Sequence, residues 1–158
     1  ASARNLELAL HTLDRTNPGR PGELRPALLQ CAERLARRGM VFLVSDFYEE
    51  PDVIMESLSL LKGRGHDLMV FHLLDPAERK LPGEGSTTFQ DLETEEITPI
   101  VPEQLRAGYE EMIEAHVATI RERCTGNRID YVLLDTSQPL DHALFRYLTI
   151  RERKARGR

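Results

Sequence analysis

Residues 40–46 read MVFLVSD. The five leading apolar residues of this stretch leave no polar face, so we expect a strand that is buried on both sides, as in a parallel sheet covered by helices. Two further largely apolar runs, at 68–74 and 129–134, are each followed by an aspartate in a similar way. Segments with helical spacing separate the three runs, which predicts parallel pairing through right-handed crossovers.

Helical segments surround these runs. Their apolar residues recur every three or four positions at 3–15, 23–38, 51–62, 102–124 and 139–148. Residues 87–92 and 96–101 alternate polar and apolar side chains, which predicts an antiparallel hairpin at one edge of the sheet. We therefore predict an α/β fold in a single domain, 1–158, with a three-layer, Rossmann-like parallel sheet. Because two helices precede the first strand, the order resembles a fold whose N-terminal strands are missing.

Charge and cysteine content narrow the class of function. The formal net charge is −5, and acidic and basic residues are mixed along most of the chain, which argues against a nucleic-acid surface. The basic tail, 151–158, is typical of a solvated helix end or of a contact with an anionic membrane, so membrane association stays open. Cys31 and Cys124 fall on apolar helix stripes, and we expect small buried hydrophobes and a reducing, cytoplasmic compartment.

Three aspartates and a serine form the candidate site. Asp46, Asp75 and Asp135 each come directly after an apolar strand, and Ser45 precedes Asp46. Parallel strands end at one edge of a sheet, where open α/β sheets bind ligands, so we expect these side chains to share a rim. A carboxylate there can coordinate a hard cation such as Mg²⁺, or it can cap the helix that follows. Both interpretations stay open, and Asp46 is the one candidate metal ligand.

No catalytic motif accompanies these residues. The sequence has no Gly-rich loop between a strand and a helix, no Gly-x-Ser-x-Gly turn and no histidine pair at zinc-ligand spacing. His72 lies inside the second strand and His116 near the apolar stripe of the long helix, so each is expected to be buried and hydrogen-bonded. Acid–base or nucleophilic chemistry needs a supported pair of groups, and we therefore predict no enzymatic activity.

Several segments resemble those of one bacterial family, the DUF58 proteins (domain of unknown function 58). The stretch 38–47 (RGMVFLVSDF) resembles the family's central strand, and 71–82 (FHLLDPAERKLP) resembles the strand that leads into its Asp-Pro-x-Glu and Leu-Pro motifs. Residues 89–96 (FQDLETEE) resemble its hairpin, and 134–140 (LDTSQPL) with 144–148 (LFRYL) resemble its C-terminal signature. The segments follow the family's order along nearly the whole chain.

The resemblance implies a von Willebrand factor A-like fold and a metal-ion-dependent adhesion site. Such a site takes an Asp-x-Ser-x-Ser motif after the first strand, a threonine from a later loop, and an aspartate. The aspartate matches Asp46, Gly22 stands at the threonine's position, and the Asp-x-Ser-x-Ser motif is absent, which fits the C-terminal part of a longer family domain. The resemblance thus implies an incomplete site with no cofactor in this chain, and Mg²⁺ only where a full-length protein supplies the other ligands.

The expected function is that of a non-enzymatic protein-interaction module. The resemblance implies a protein partner, a MoxR-type AAA ATPase. The alternative is a small-molecule or nucleotide-binding Rossmann-like enzyme that uses the rim aspartates, which a pocket with a titratable pair at the strand ends would favour. An exposed sheet edge also invites pairing with a second copy, so we hypothesise a homodimer through that edge or through the N-terminal helices.

Overall fold

The structure, a computed structural model, describes residues 3–15, 24–80, 87–90 and 97–156. None of the helices in these ranges is apolar over a length that could cross a membrane. In chain order the elements are α1 (Ala3–Arg15), α2 (Leu24–Arg34), β1 (Met40–Ser45), α3 (Pro51–Gly63), β2 (Asp67–Leu74), α4 (Pro76–Arg79), β3 (Thr87–Gln90), β4 (Ile97–Ile100), α5 (Pro102–Gly126), β5 (Asp130–Asp135) and α6 (Leu140–Arg156).

Three strands form a parallel sheet in the order β1-β2-β5. β2 lies in the centre, and its register sets Ser45 of β1 opposite His72 and Asp135 of β5 opposite Leu74. Parallel strands need long crossover connections, and α3 and α5 supply them. The prediction of a mixed α/β fold built on a parallel sheet is confirmed.

The predicted edge hairpin is wrong in its placement. β3 and β4 pair antiparallel with each other, but they form a two-stranded sheet of their own and do not extend the parallel sheet. Each strand is four residues long, shorter than the predicted 87–92 and 96–101, and residues 91–96 lie outside the described part of the chain. Pro99 in β4 has no N–H to donate, which limits the further pairing of so short a strand.

The main core lies between the sheet and helices α2, α3 and α5. Pro51 at the start of α3 has the φ angle that a helix requires, which favours initiation there. From this helix Ile54, Leu58 and Leu61 are fully buried, and Ile120 of α5 joins the same cluster. Burying each of these side chains stabilises the fold by about 1.5–3 kcal/mol. This side of the sheet therefore contains the larger apolar interior of the described residues.

The opposite face of the sheet is covered by α6. Tyr147 of this helix is buried, and its ring lies edge-on to Phe71 of β2 with 6.2 Å between centroids. Arg151 lies one turn further along, where it donates to the Tyr147 hydroxyl and to the carboxylate of Asp67 in β2. Leu134 of β5 belongs to the same buried cluster as Tyr147, so α6 lies above the central strand and β5.

β1 has one uncovered apolar face, contrary to the prediction that it is buried on both sides. Met40, Phe42 and Val44 are 44%, 54% and 57% exposed, whereas Val41 and Leu43 pack against the main core. The physical reason is the position of α6, because the buried cluster on that face takes its described members from β2, β5 and α6. The strand is therefore buried on one side only.

Two predictions about helices need correction. No residue of α1 is buried, although its leucines are spaced for one apolar face. α2 buries Leu28 and Ala32, which lie four residues apart and therefore on one side of the helix. Cys31 is turned to solvent as a result, whereas Cys124 is buried as predicted.

Leu58→Ala in α3 is expected to lower the free energy of unfolding by about 2–5 kcal/mol, because the residue is fully buried and its truncation leaves a cavity. Leu60→Ala on the same helix is the matched control. Leu60 is 36% exposed, so we expect a loss of only about 1 kcal/mol. Urea unfolding followed by circular dichroism measures both variants. Equal losses would contradict the position of the core.

Candidate functional site

The strand ends bring the predicted site residues to one edge of the sheet. β1, β2 and β5 end at Ser45, Leu74 and Asp135, so Asp46 and Asp75 each follow directly on a strand end. Asp46 is exposed, whereas Ser45, Asp75 and Asp135 are half-buried. We call Ser45 and the three aspartates the rim.

Asp75 acts as a helix cap. Its Oδ1 accepts a hydrogen bond from the Ala77 N–H at 2.9 Å, and the Asp75 N–H donates to Glu78 Oε2 at 2.9 Å, which completes a capping box at the start of α4. The Thr136 hydroxyl donates to Asp75 Oδ2 at 2.5 Å and joins the loops after β2 and β5. The hydrogen bonds from Thr136 and from Ala77 lower the pKa of Asp75 below its usual value, since they favour the charged form.

Asp135 closes the turn at the end of β5. Its Oδ1 accepts hydrogen bonds from the Ser137 N–H at 2.9 Å and from the Ser137 hydroxyl at 2.5 Å. The Gln138 N–H donates to the Asp135 carbonyl oxygen at 3.0 Å. Aspartates commonly stabilise turns through such bonds to the backbone two residues on. The capping interpretation therefore describes Asp75, whereas Asp135 stabilises a turn.

Asp46 has fewer contacts than the other two aspartates. The Ser45 hydroxyl donates to its Oδ1 over a long 3.4 Å and accepts a hydrogen bond from the Phe47 N–H at 3.2 Å. In the part of the chain that the structure describes, no group of three His, Cys, Asp or Glu side chains could hold a metal ion. Gly22, at the expected threonine position, lies outside that part. One carboxylate and one hydroxyl do not fit the near-octahedral oxygen shell of Mg²⁺.

Phe47 fixes the backbone beside Asp46. Its φ is +55°, in the left-handed region that is costly for a large side chain. The side chain is 1% exposed, and its ring lies edge-on to His72 with 5.2 Å between centroids. His116 Nε2 donates to the Phe47 carbonyl oxygen at 2.7 Å. Burial and this hydrogen bond offset the backbone strain and hold the loop in one conformation.

His72 is buried next to this loop, in the central strand. Its Nδ1 accepts a hydrogen bond from the Tyr131 hydroxyl at 2.8 Å, and its ring also hydrogen-bonds to the Asp46 backbone. Burial lowers the pKa of His72 to about 4, because the charged ring would lose its hydration, and the Asp46 bond opposes this only in part. Burial likewise raises the pKa of Tyr131, so the phenol keeps its proton and donates it.

The two histidines position the loop that bears Asp46, and His72 is buried whereas His116 is half-buried. His72 is 1% exposed, and with its lowered pKa it is neutral near pH 7. The ring of His116 lies edge-on to it at 6.3 Å, and each ring is bonded to the loop that bears Asp46. The prediction of a buried, hydrogen-bonded side chain is confirmed for His72, whereas His116 is hydrogen-bonded but only half-buried.

Sequence reasoning missed three partners of these groups: Phe47, Tyr131 and Thr136. The role of Thr136 could have been predicted, because a hydroxyl residue directly after a strand lies within reach of the neighbouring strand's end. The contact of Tyr131 with His72 could not, since it depends on strand order. The left-handed backbone of Phe47 could not be predicted either, because glycine or asparagine usually marks such a position.

Two open clefts flank Asp135 at this edge. One of about 430 Å³ is lined by charged side chains that include Arg79 and Glu114, which form an ion pair with each other. The other, of about 500 Å³, is lined mainly by apolar residues, among them Leu133 of β5 and Leu140 at the start of α6. The edge of the sheet thus has a polar recess on one side of Asp135 and an apolar one on the other.

Comparison with known proteins identifies the family. The model of the family described as "Protein of unknown function DUF58" matches residues 1–119 of the 158. The chain belongs to the DUF58 family. A Mycobacterium avium protein, uncharacterized protein MAV169, is 28% identical over 161 residues, covering 98% of this chain and 93% of that protein. No solved structure matches the chain. Membership of DUF58 assigns no activity by itself.

In this DUF58 chain, His72→Gln is expected to reduce the loss of stability in mild acid. The folded pKa of about 4 lies below the unfolded value of 6.5, so between these values the unfolded state binds more protons. The free energy of unfolding therefore falls as the pH decreases through this window, by at most about 3 kcal/mol from this group. Urea unfolding at about pH 7 and about pH 4.5 compares the variant with the wild type. Equal losses on acidification would rule out this role of His72.

Asp46 is not expected to bind Mg²⁺ tightly, because the ion would find one carboxylate and one hydroxyl where it needs an octahedral oxygen shell. Titration calorimetry of the wild type and of Asp46→Asn should give the same weak heats. A low-micromolar affinity in the wild type that is lost in the variant would refute the prediction.

Proposed function

We propose that this DUF58 chain is a protein-interaction module without catalytic activity, and that it docks its partner on the exposed side of α6. The observation that supports this is a set of exposed apolar side chains on that helix. Leu140, Leu144 and Leu148 recur every four residues and are 58%, 38% and 53% exposed, and Phe145 is 68% exposed. Single exposed leucines are ordinary, but a contiguous group is typical of a protein-binding surface. We call these four residues the α6 patch.

The apolar cleft extends the α6 patch to the rim. It measures about 500 Å³ and is lined by Leu140 of the patch together with Leu73 and Leu133 at the strand ends. Thr136 and Gln138 add a few polar groups to its wall. Apolar recesses with a few polar groups are the usual form of binding pockets. An amphipathic helix laid along the α6 patch could insert one side chain into this cleft.

The charge around this surface indicates the chemistry of the partner. The chain has a net charge of −5, the rim aspartates lie at the same edge as the cleft, and Asp141 is in the first turn of α6. The C-terminal end of α6 is basic, with Arg151, Arg153 and Lys154. We therefore propose a partner helix that is apolar on one side, basic where it meets the rim and acidic where it meets the C-terminal end of α6, since complementary charge speeds association and fixes orientation. The resemblance to DUF58 proteins makes a MoxR-type AAA ATPase the partner that we name. With an incomplete metal site, the contact rests on shape and charge.

A second candidate function is a small-molecule or nucleotide-binding Rossmann-like enzyme. The polar cleft of about 430 Å³, lined by Asp135 and Lys80 among others, favours it, because open α/β sheets bind ligands at this edge. We rank it second for two reasons. Asp135 Oδ1 already accepts two hydrogen bonds from Ser137, and Arg79 of the same cleft is paired with Glu114.

Binding to the purified MoxR-type ATPase of the same organism tests the proposal by biolayer interferometry. Leu144→Lys and Leu148→Lys should each weaken binding at least about tenfold, since each places a charge in an apolar contact. Met112→Lys on α5 is the matched control, because Met112 is 57% exposed and receives the same substitution away from α6. Its affinity should equal that of the wild type.

Two results would contradict the proposal. Equal binding by the wild type and both α6 variants would move the docking surface elsewhere, and no binding of the wild type would remove the ATPase as partner. Turnover of a nucleotide or small molecule that Asp135→Asn abolishes would favour the second candidate function instead.

A further inference from the structure

β1 presents a free backbone edge as well as an uncovered apolar face. Within the described ranges β1 pairs only with β2, so its other edge has no strand beside it. The Gly39 carbonyl oxygen accepts from the Asp67 N–H at 2.9 Å, so the odd-numbered residues of this segment direct their backbone groups toward β2. The N–H and C=O groups of Met40, Phe42 and Val44 therefore point to the free edge.

This edge lacks the features that prevent an edge strand from pairing with a strand of another molecule. β1 reads MVFLVS and contains no charge, no proline and no glycine. Edge strands of monomeric proteins commonly contain a lysine, a proline or a bulge that blocks the approach of another strand. Six residues give a free edge about 20 Å long. An edge of this kind is suited to pairing with another strand.

Opposite charges flank β1. Arg37 and Arg38 precede the strand, whereas Asp46, Glu49 and Glu50 follow it. If β1 paired with itself in the parallel sense, like charges would lie side by side at both ends. Antiparallel pairing instead brings the basic flank of each copy beside the acidic flank of the other, which is favourable at both ends by symmetry.

We propose that two copies of this chain pair through β1, antiparallel, about a twofold axis at Phe42. In this register Phe42 lies opposite the second copy's Phe42, Met40 lies opposite the second copy's Val44, and Arg38 lies opposite the second copy's Asp46. Met40, Phe42 and Val44 are even-numbered positions of the strand, whose backbone groups point to the free edge, so these opposed pairs can exchange their hydrogen bonds. Arg38 and Asp46 lie just beyond the strand, and the Asp46 backbone is bonded to His72, so this pair contributes through its opposite side-chain charges alone. Residues directly opposite also point to the same face, so the exposed side chains of both copies meet there.

The proposed contact forms a closed dimer. Each copy has one free β1 edge, and a twofold axis uses both, so the assembly stops at a dimer and does not grow into a filament. One strand and three partly exposed side chains form a small interface, below the roughly 800 Å² per partner of a standard interface. We therefore expect a dimer that dissociates in the micromolar range. This pairing uses a different surface from the α6 patch and does not depend on the proposed function.

Sedimentation velocity from about 1 µM to about 1 mM tests the pairing, since a micromolar dimer dissociates within that range. Arg38→Glu and Asp46→Arg should each weaken the dimer at least about tenfold, because like charges then lie opposite each other at both ends. An equimolar mixture of the two variants should dimerise again, because in the mixed dimer each end joins opposite charges. A folding defect in either variant would not be repaired by mixing.

Val44→Lys should abolish dimerisation by placing a charge on the free edge, whereas Met112→Lys, at the same 57% exposure, should leave it unchanged. A wild type that stays monomeric at every concentration would overturn the proposal, as would a dimer that survives Val44→Lys. Failure of the mixed charge variants to dimerise would overturn the antiparallel register. Loss of the dimer in Leu13→Lys, with Val44→Lys unaffected, would place the contact on α1 instead and also overturn it.

Discussion

The burial of β2 on both faces and both edges constrains everything around it. Met69 and Val70 occupy successive positions, so they point to opposite faces, and both are fully buried. The middle of this strand has no access to water, so a polar side chain there must find its partners inside the protein. His72 does so through Tyr131 on the neighbouring strand and through the Asp46 backbone. The central strand thereby fixes the geometry of the loop that follows β1.

The rim residues mainly stabilise the loops at the strand ends. Parallel pairing brings three strand ends together, and backbone groups there must be satisfied by the loops that follow. Asp75 and Asp135 accept hydrogen bonds from such backbone N–H groups, and the Thr136 hydroxyl links their two loops by donating to Asp75. Asp46 differs because Phe47 and the two histidines hold its loop from beneath, which leaves the carboxylate exposed. Acidic side chains at a strand end therefore do not by themselves indicate a metal site.

The parallel strands, α3 and α5 could be predicted from the sequence, because apolar periodicity reports which residues are buried. Which faces of the strands are covered by helices could not be predicted in this way. The run at 40–44 shows that β1 is apolar, but only the position of α6 determines that Phe42 is exposed while Leu43 is buried. Likewise, polar and apolar alternation at 87–90 predicts a strand but does not specify which sheet it joins.

At the site, the positions of the rim residues follow from where the strands end, whereas their roles depend on distant parts of the chain. Thr136 reaches Asp75 across 61 positions, and Tyr131 reaches His72 across 59. Contacts of this kind arise from strand order and register, so no local pattern encodes them. The capping of α4 by Asp75 is the exception, because Glu78 three residues later is a recognisable capping-box signal.

α6 is fastened to the sheet by an aromatic ring and a guanidinium group. Tyr147 packs against Phe71, and Arg151 bonds to Tyr147 and to Asp67, whereas α2 and α3 share one apolar interior with the strands. Removing α3 would empty that interior, but removing α6 would break few of the contacts described. α6 is thus better able than α3 to unfold locally while the remainder stays native. A partner that binds α6 would suppress this local unfolding, and the suppression would grow with the partner's concentration and affinity.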